Sequence, residues 1–429
     1  MVMRYSVWHD ESYCGAPHAE YDDLLNKLRI IQGKVSMTDQ KVIEELRKTF
    51  EEKFGGSGER VFFAPGRVNL IGEHIDYNGG HVFPCALTLG TYAAVRKRDD
   101  RKLRFYSVNL AEDGVIEADL DDLTYKKEDG WTNYAKGVVW AYRQAGMDIP
   151  TGFDFVCSGT IPPKSGLSSS ASLEVLTGEA LMRLYGFEED QIRNAKLGQI
   201  AENRFVGMNC GIMDQFASAM GRKNMAIFLN AATLEYQYAP LPIGDAKLVI
   251  VNTNKPHELA NSAYNDRRRE CETALEDLQK VRPELKALCE LKPAEFEELS
   301  SAIADPVCRK RAKHAVYEDA RTTEAVEKLN QGDIQAFGKL MNASHVSLRD
   351  DFEVSCRELD VLAEEAWKIP GVIGARMTGG GFGGCTVNIV KDDAIDTFVD
   401  QVGRNYTDRT GLVPSFYIVS IGDGPSEIC

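Results

Sequence analysis

The stretch Gly166-Leu167-Ser168-Ser169-Ser170-Ala171-Ser172 decides how this sequence is read. It follows Pro162-Pro163 and opens an apolar run, LEVLTGEALMRLY, that predicts a helix over Ala171–Tyr185. Glycine lets a backbone come close to an anion. Serine hydroxyls donate hydrogen bonds, and the first turn of a helix presents free N–H groups and positive dipole. The stretch is therefore either a phosphate cradle or a serine-rich helix cap with no ligand, and alone it does not choose. Upstream, Gly152-Phe153-Asp154-Phe155-Val156-Cys157 alternates and predicts a strand. Strand, glycine-containing loop and helix then stand in the order that a phosphate cradle requires. The loop is not a Walker A motif: the Gly-Lys-Ser/Thr ending is missing, and Lys164 precedes the glycine instead.

Toward the N-terminus, Arg60–Ala64 (RVFFA) predicts a short strand that Pro65-Gly66 turns into RVNLIGEHIDYNGG, residues 67–80. Arg67, Glu73, His74 and Asp76 make this the densest polar cluster in the chain. Carboxylates and an imidazole accept hydrogen bonds from the hydroxyls of a polyhydroxylated ligand. An arginine beside them serves phosphate or carboxylate. The alternative is a solvated loop with a capping aspartate. HVFPCAL and TYAAV, within His81–Val95, predict two strands, and Leu103–Val108 a third. Trp131–Ala145 predicts a helix with Tyr134, Val138, Val139 and Tyr142 on one side. Residues 1–55 read as a helical packing arm without chemistry. One helix is expected over Tyr21–Ile31, and a second from Thr38 with Val42, Ile43, Leu46 and Phe50 on one face. Phe54-Gly55-Gly56-Ser57-Gly58 breaks the pattern.

Toward the C-terminus, Gln191–Val206 predicts a helix containing Glu202, followed by GMNCGIMDQF at 207–216. Asp214 sits there in apolar company. It reads as a helix N-cap or as a partly desolvated carboxylate acting as base or anchor. Lys247–Asn252 (KLVIVN) predicts a strand, and Ser262 opens a charged helix containing Tyr264 and three consecutive arginines, best read as a solvated face. Residues 271–367 are mostly helical and charged. MTGGGFGGC, at 377–385, places five glycines before a strand over Thr386–Val390, which implies close backbone approach to another element or to a ligand. Phe416–Ser420 predicts a closing strand.

The 429 residues, 43% hydrophobic and 27% charged, suit a globular protein of two or three domains. A net charge of -15 argues against nucleic-acid binding but leaves room for a small anionic ligand at a local site. None of the ten cysteines forms a CxxC pair, so reduced thiols in a cytoplasmic protein are expected, with neither a zinc site nor a disulfide framework. The start of the chain lacks an apolar signal core, and no run reaches the ~18 apolar residues of a membrane span.

Three motifs now stand together: GRVNLIGEHIDYNGG at 66–80, PPKSGLSSSAS at 162–172 and MTGGGFGGCTV at 377–387. In this order, with CGIMDQF and Tyr264 in SAYNDRR between them, they resemble the GHMP small-molecule kinase superfamily, and within it the galactokinases. The resemblance covers about residue 55 to the end. It implies an α/β (α+β) fold of two domains with the active site in the cleft between them, and a left-handed βαβ crossover in the first, against the usual hand. The expected division is an arm at 1–55, an N-terminal kinase domain at 56–240 and a C-terminal kinase domain at 241–429.

The resemblance also implies roles. Asp214 is similar to the catalytic aspartate that receives or orients the proton of a sugar's anomeric hydroxyl, and Arg67 to the cation beside it that stabilises the transferring phosphoryl group. Arg67, Glu73, His74, Ile75, Asp76, Gly211, Asp214 and Tyr264 match substrate-binding positions. Lys164, Ser165, Gly166, Leu167, Ser168, Ser169 and Ser170 match the ATP phosphate loop, and Ser107 a further nucleotide contact. Ser170 and Glu202 match ligands of Mg2+, an ion suited to a hydroxyl and one carboxylate with phosphates and water completing the octahedron. The implied reaction is phosphorylation of D-galactose by ATP to galactose 1-phosphate and ADP, the entry to galactose catabolism, with no protein partner, nucleic acid or membrane required.

Ile75 departs from the threonine common in galactokinases; isoleucine also occurs there in N-acetylgalactosamine kinases. GGGFGG in the third motif favours galactose, because those relatives tend to carry a tryptophan version. A non-catalytic galactose/ATP sensor is the alternative of another class; such homologues tend to be damaged in the phosphate loop, and GLSSSAS is intact.

Overall fold

The computed structural model describes residues 38–162, 165–255 and 260–428. The helix expected over Tyr21–Ile31 and the cradle lysine Lys164 lie outside the described residues.

Helix α1 (Thr38–Phe54) turns the expected apolar face inward. Leu46 and Phe50 are fully buried against Val61, Ala94 and Val156, with Val42 and Ile43 packed beside them. The strand beneath it is longer than RVFFA suggested: β1 runs Arg60–Asn69, and Pro65-Gly66 is a register irregularity within it. A bulge accommodates a proline because it needs no ladder N–H there. The two strands expected over 81–95 are β2 (His81–Val82) and the long β3 (Pro84–Lys97). β4 (Lys102–Ser107), β5 (Ile116–Asp119), α2 (Thr132–Gln144) and β6 (Phe153–Gly159) follow. β4 and β6 pair in parallel with α2 in the connection, while β3 pairs antiparallel with both β1 and β6.

The serine-rich loop leads into α3 (Ser169–Tyr185), buried continuously from Ala171 to Met182. A helix apolar nearly all round belongs inside a core, and α3 packs on β1 and β3. Helix α4 (Gln191–Ile200), capped by Asp190, does not continue regularly to Val206. Residues Ala201–Val206 widen into a π-helical turn closed by Gly207 at φ 88°. Such turns insert a residue and redirect side chains; here the redirected segment carries Glu202. Helix α5 (Met213–Ala219), β7 (Met225–Asn230) and β8 (Tyr236–Pro240) complete this half, with β2, β7 and β8 forming a small sheet.

The second half holds β9 (Ala246–Asn252), α6 (Ala260–Gln279), α7 (Pro293–Leu299), α8 (Pro306–Asn330), α9 (Ile334–Asp350) and α10 (Arg357–Trp367). These are followed by β10 (Val372–Thr378), β11 (Cys385–Lys391), α11 (Ile395–Thr410), β12 (Ser415–Val419) and β13 (Ser426–Glu427). Its antiparallel sheet has the order β10-β11-β9-β12. Alternate residues of the apolar strand β9 enter two cores: Leu248 and Ile250 join Phe337 and Met341 of α9, while Val249 and Val251 join Phe398 and Tyr406 of α11. The first core also contains Val68, Leu70 and Leu167, so the two halves share apolar packing next to the motifs. The end of the chain returns to the first sheet, where β13 pairs with β1 and Arg60 bonds Glu427 at 2.5 and 2.6 Å. No helix among the described residues is long and apolar enough to cross a membrane.

Helix α9 lies almost on the backbone of β10, the strand that leads into the third motif. A Cβ on Gly338 would come within 1.9 Å of the Ile373 carbonyl oxygen. Gly338→Ala improves helix propensity by about 1 kcal/mol, yet it must push β10 away, and overpacking costs about 1–3 kcal/mol. Urea unfolding of the variant is expected to show a lowered midpoint; an unchanged or raised midpoint would mean that α9 can move off the strand freely.

Candidate active site

Three segments distant in sequence meet at Arg67. The residue is on β1 just past the bulge and is 3% exposed. Its Nε and Nη2 donate to Oδ1 and Oδ2 of Asp214, each at 3.0 Å, and its Nη1 donates to the Gly166 carbonyl at 2.7 Å. Its backbone N–H donates to the Leu167 carbonyl at 3.2 Å. One arginine thereby ties the glycine-serine loop and α5 to the sheet, by the forked pairing that guanidinium geometry favours.

Asp214 is the second residue of α5, not its cap, where the helix dipole favours a negative charge. Its side chain is 29% exposed while that of Arg67 is 4% exposed, so the carboxylate has an open side that its partner lacks. The Ser168 hydroxyl also donates to it. Ser168 adopts φ 59°, and His74 adopts φ 62°. Left-handed backbone at non-glycine residues costs about 1–3 kcal/mol each and collects at functional sites; both residues line the same cavity.

That cavity, of about 240 Å³, is walled by the motifs of both halves. Arg67, Glu73, His74 and Asp76 contribute one side, and Ser165, Gly166, Ser168, Ser169 and Ser170 the second. Glu202, Gly211 and Asp214 form the third, with Tyr264 of α6 and Gly379-Gly380 closing it. The close approach expected of the glycine-rich motif is thus to another element: a Cβ on Gly379, at φ 82°, would lie 2.8 Å from the Gly166 carbonyl oxygen. Gly211 is constrained as tightly, because a Cβ there would lie 1.9 Å from Oδ2 of Asp76.

Glu73 and His74 are engaged with the third motif. Glu73 Oε1 accepts from the Thr378 hydroxyl at 3.0 Å and from the Gly379 N–H at 2.8 Å, with Arg376 Nη2 at 3.4 Å. His74 Nε2 faces the Gly380 carbonyl at 3.2 Å, and Nδ1 faces the Tyr77 hydroxyl at 2.8 Å. A carbonyl only accepts, so Nε2 carries the proton and Nδ1 accepts from Tyr77. Burial pushes the His74 imidazole down to about 3, which keeps it neutral at physiological pH. Burial, reinforced by the Asp214 charge, pushes the Asp76 carboxyl up to about 6.

Arg67 is the only Lys or Arg among the described residues lining the cavity, against the acids Glu73, Asp76, Glu202 and Asp214. Glu202 lies beside neutral donors: Gln215 Nε2 at 2.6 Å, Cys210 Sγ at 3.5 Å, and the hydroxyl of Ser170. Burial, and then the Asp214 charge, push its carboxyl up. A buried carboxylate facing a cavity beside a hydroxyl, with no cation bonded to it among the described residues, fits a hard divalent ion that takes most of its ligands from phosphate and water. Among the described residues, no group of three or more His, Cys, Asp or Glu side chains could hold a metal ion by itself.

Among the described residues, three of those expected at the site do not line the cavity. Ile75 is fully buried in the core beneath its loop. Leu167 is 1% exposed in the shared apolar core and offers the site only its carbonyl. Ser107 ends β4 beside Cys157, inside the first sheet. Conversely, Tyr77, Cys210 and Gln215 stand inside the quoted motifs without having been assigned a role, and Glu174 lies in the helical run after the loop. For Tyr77, Cys210 and Gln215 motif membership was the available signal; Glu174 had none, and its contact with Gln215 joins residues 41 apart in sequence.

Comparisons with known proteins bear on the family and the fold. The galactokinase galactose-binding signature matches residues 48–97, the N-terminal domain of GHMP kinases residues 133–222 and the C-terminal region of GHMP kinases residues 325–408. A mevalonate kinase crystal structure shares the fold, with a TM-score of 0.60 at 18% identity over 84% of this chain and 99% of that one. Fold and site thus define a small-molecule kinase of the GHMP class. The galactokinase of Clostridium beijerinckii is 55% identical over 386 residues, 90% of this chain and 99% of that protein, and that of Bacillus subtilis is 52% identical over 386 residues, again 90% and 99%. The crystal structure of Lactococcus lactis galactokinase complexed with galactose has a TM-score of 0.88 at 46% identity and covers 90% of this chain and 99% of that one. The chain belongs to the galactokinase family.

The raised Asp76 carboxyl sets a pH test. Folding holds this proton more tightly than the unfolded chain does, so ionised Asp76 opposes folding. The penalty is absent below about pH 4, grows to about pH 6 and is then constant at roughly 3 kcal/mol. Asp76→Asn is therefore expected to raise the Tm of the ligand-free protein at pH 7.5, with the gain vanishing near pH 4, and to weaken galactose affinity. A gain independent of pH would assign the effect to something other than ionisation.

Proposed function

We propose that this protein phosphorylates D-galactose at its anomeric hydroxyl, with ATP as donor, releasing galactose 1-phosphate and ADP. The observation that carries the proposal is the forked Arg67–Asp214 pair, which joins the serine-rich loop to the wall built from the 67–80 segment. The cleft between residues 56–240 and 241–429 would hold both substrates.

Phosphoryl transfer asks a protein mainly for positioning and charge stabilisation. The first turn of α3 and the hydroxyls of Ser165, Ser169 and Ser170 would face the ATP phosphates, using the free N–H groups and dipole of a helix N-terminus. Asp76, Gly211 and Tyr264 would hold the sugar ring, with Glu73 and His74 fixing the wall behind it. The anomeric hydroxyl replaces the Ser168 hydroxyl at the open side of Asp214. Asp214 receives the proton as the sugar oxygen bonds to the γ-phosphorus, and the bond to the ADP oxygen breaks. Arg67 keeps Asp214 aimed and contributes positive charge where the phosphoryl group passes. Ser170 and Glu202 would hold Mg2+, which supplies Lewis-acid charge neutralisation of the phosphates when bound.

The buried position of Ile75 bears on the choice of sugar. Its side chain does not reach the cavity wall, so its departure from the common threonine gives no direct contact that favours an N-acetyl group.

Purified protein in a coupled ADP-release assay is expected to turn over galactose in clear preference to N-acetylgalactosamine; the reverse preference would overturn the substrate assignment, and absence of turnover on both would favour the sensor alternative. Asp214→Asn is expected to lower kcat by at least about 100-fold, the scale of acid–base groups, while calorimetry finds galactose affinity within a few-fold of the parent. Near-normal turnover would remove Asp214 from the reaction.

A further inference from the structure

Behind Glu202, three elements bring together buried polar groups that the mechanism above does not use. Glu174 is on α3, one helical turn after Ser170, and Gln215 follows Asp214 on α5; both are fully buried. Gln215 Nε2 lies 2.6 Å from Glu202 Oε2 and 2.9 Å from Glu174 Oε2. An amide NH2 has two protons, so one donor group spans both carboxyls. Among the described residues no donor reaches the other oxygens of this bridge, Gln215 Oε1 and Glu174 Oε1, although the Glu174 side chain also meets that of Glu202. Buried unpaired polar atoms are costly and rare. Apolar side chains of the same size would fill this space without that cost, which points to a task for the polar groups.

We propose that Gln215 is a positioning residue for the metal site: its amide, braced from behind by Glu174, fixes the Glu202 carboxylate so that it meets an incoming divalent cation together with the Ser170 hydroxyl. The proposal rests on the reading of Glu202 as a metal ligand. Glu202 projects from the π-helical turn, where its backbone carbonyl is held by the N–H groups of Gly207 and Met208 at 2.9 and 3.0 Å. Its backbone is thus anchored, but a glutamate side chain retains three rotatable bonds. Gln215 Nε2 and Cys210 Sγ both address Oε2, which settles the carboxylate plane. Ser170 and Glu174 stack on one face of α3, since residues four apart are neighbours on a helix, so the metal wall and its brace share one rigid element. Asp214 and Gln215 are adjacent on α5, so the same short helix sets the proton acceptor and the metal ligand.

The test measures metal binding apart from turnover. Full-length protein with a non-hydrolysable ATP analogue is titrated with Mn2+, and free Mn2+ is read by electron paramagnetic resonance. Gln215→Met, which keeps the shape and removes both donors, is expected to weaken Mn2+ binding about 10–100-fold, the usual effect of losing a group that orients a ligand. Glu174→Leu is expected to weaken it in the same direction, and Glu174→Gln, which still accepts from the amide, to stay within about threefold of the parent. Galactose affinity by calorimetry is expected to be unchanged within about twofold in all three. Parent-like Mn2+ affinity in either folded variant, Gln215→Met or Glu174→Leu, would overturn the proposal, as would an equal loss of galactose affinity. Glu202→Ala separates the two levels. If it leaves Mn2+ binding intact, the metal-ligand reading fails; if it weakens binding and Gln215→Met does not, only the positioning role fails.

Discussion

The site depends on the guanidinium of Arg67. A buried arginine is expensive to desolvate, and the cost is offset only where its nitrogens find acceptors in good geometry. Arg67 meets that condition with two carboxylate oxygens and one carbonyl, drawn from α5 and the serine-rich loop. The consequence is mechanical as well as electrostatic. The loop that would face phosphate and the carboxylate that would face the sugar hydroxyl are fixed to the same rigid strand, so their separation does not depend on either loop alone.

A second set of contacts fixes the two halves to each other. Glu73 and His74, from the polar loop after β1, hold the peptide groups of Gly379 and Gly380 beyond β10. The glycines allow their backbone to press against the serine-rich loop, where a side chain would collide with the Gly166 carbonyl. Deeper in, His314 reaches the Glu73 carbonyl at 3.1 Å, and the Gly72 N–H donates to Glu318 of α8 at 3.0 Å. Burial alone would raise the Glu318 carboxyl, yet the charges of Arg321, His314 and Arg376 and the Ser344 hydroxyl hold it at about 2. The polar loop is thus backed by an ionised, bonded acid, which suits a wall that must keep its shape.

Among the described residues that line the cavity, one arginine, already committed to Asp214, stands among several acids, so a divalent cation carried by a triphosphate would add favourable charge there. The uncharged donors bonded to Glu202 and the helix N-terminus beside it are consistent with an anion that arrives with its own divalent cation.

Much of this was legible in the sequence because its signals are local. The strand, glycine-containing loop and buried helix around 166–172 follow from turn chemistry and apolar runs, and the three motifs carry more than half of the described residues that line the cavity, with Glu202, Asp214 and Tyr264 outside them. The sequence also made Arg67 a candidate through its dense polar cluster and Asp214 through its apolar company, while their pairing was implied only by the resemblance. It could not say that β1 passes through Pro65-Gly66 rather than turning there, since a bulge depends on the strand opposite. Nor could it separate Ile75 from its polar neighbours: both occupy one loop, and only packing decides which side chains enter the core. The commitment of Glu73 and His74 to the third motif and the Glu174–Gln215–Glu202 bridge join groups far apart in the chain, while the π-helical turn under Glu202 is a local departure that the helical pattern does not announce. Local sequence fixes the kind of element and the chemistry that each segment carries. Which groups meet is decided by tertiary structure, because hydrogen bonds and charges act over a few ångströms of space, whatever the separation along the chain.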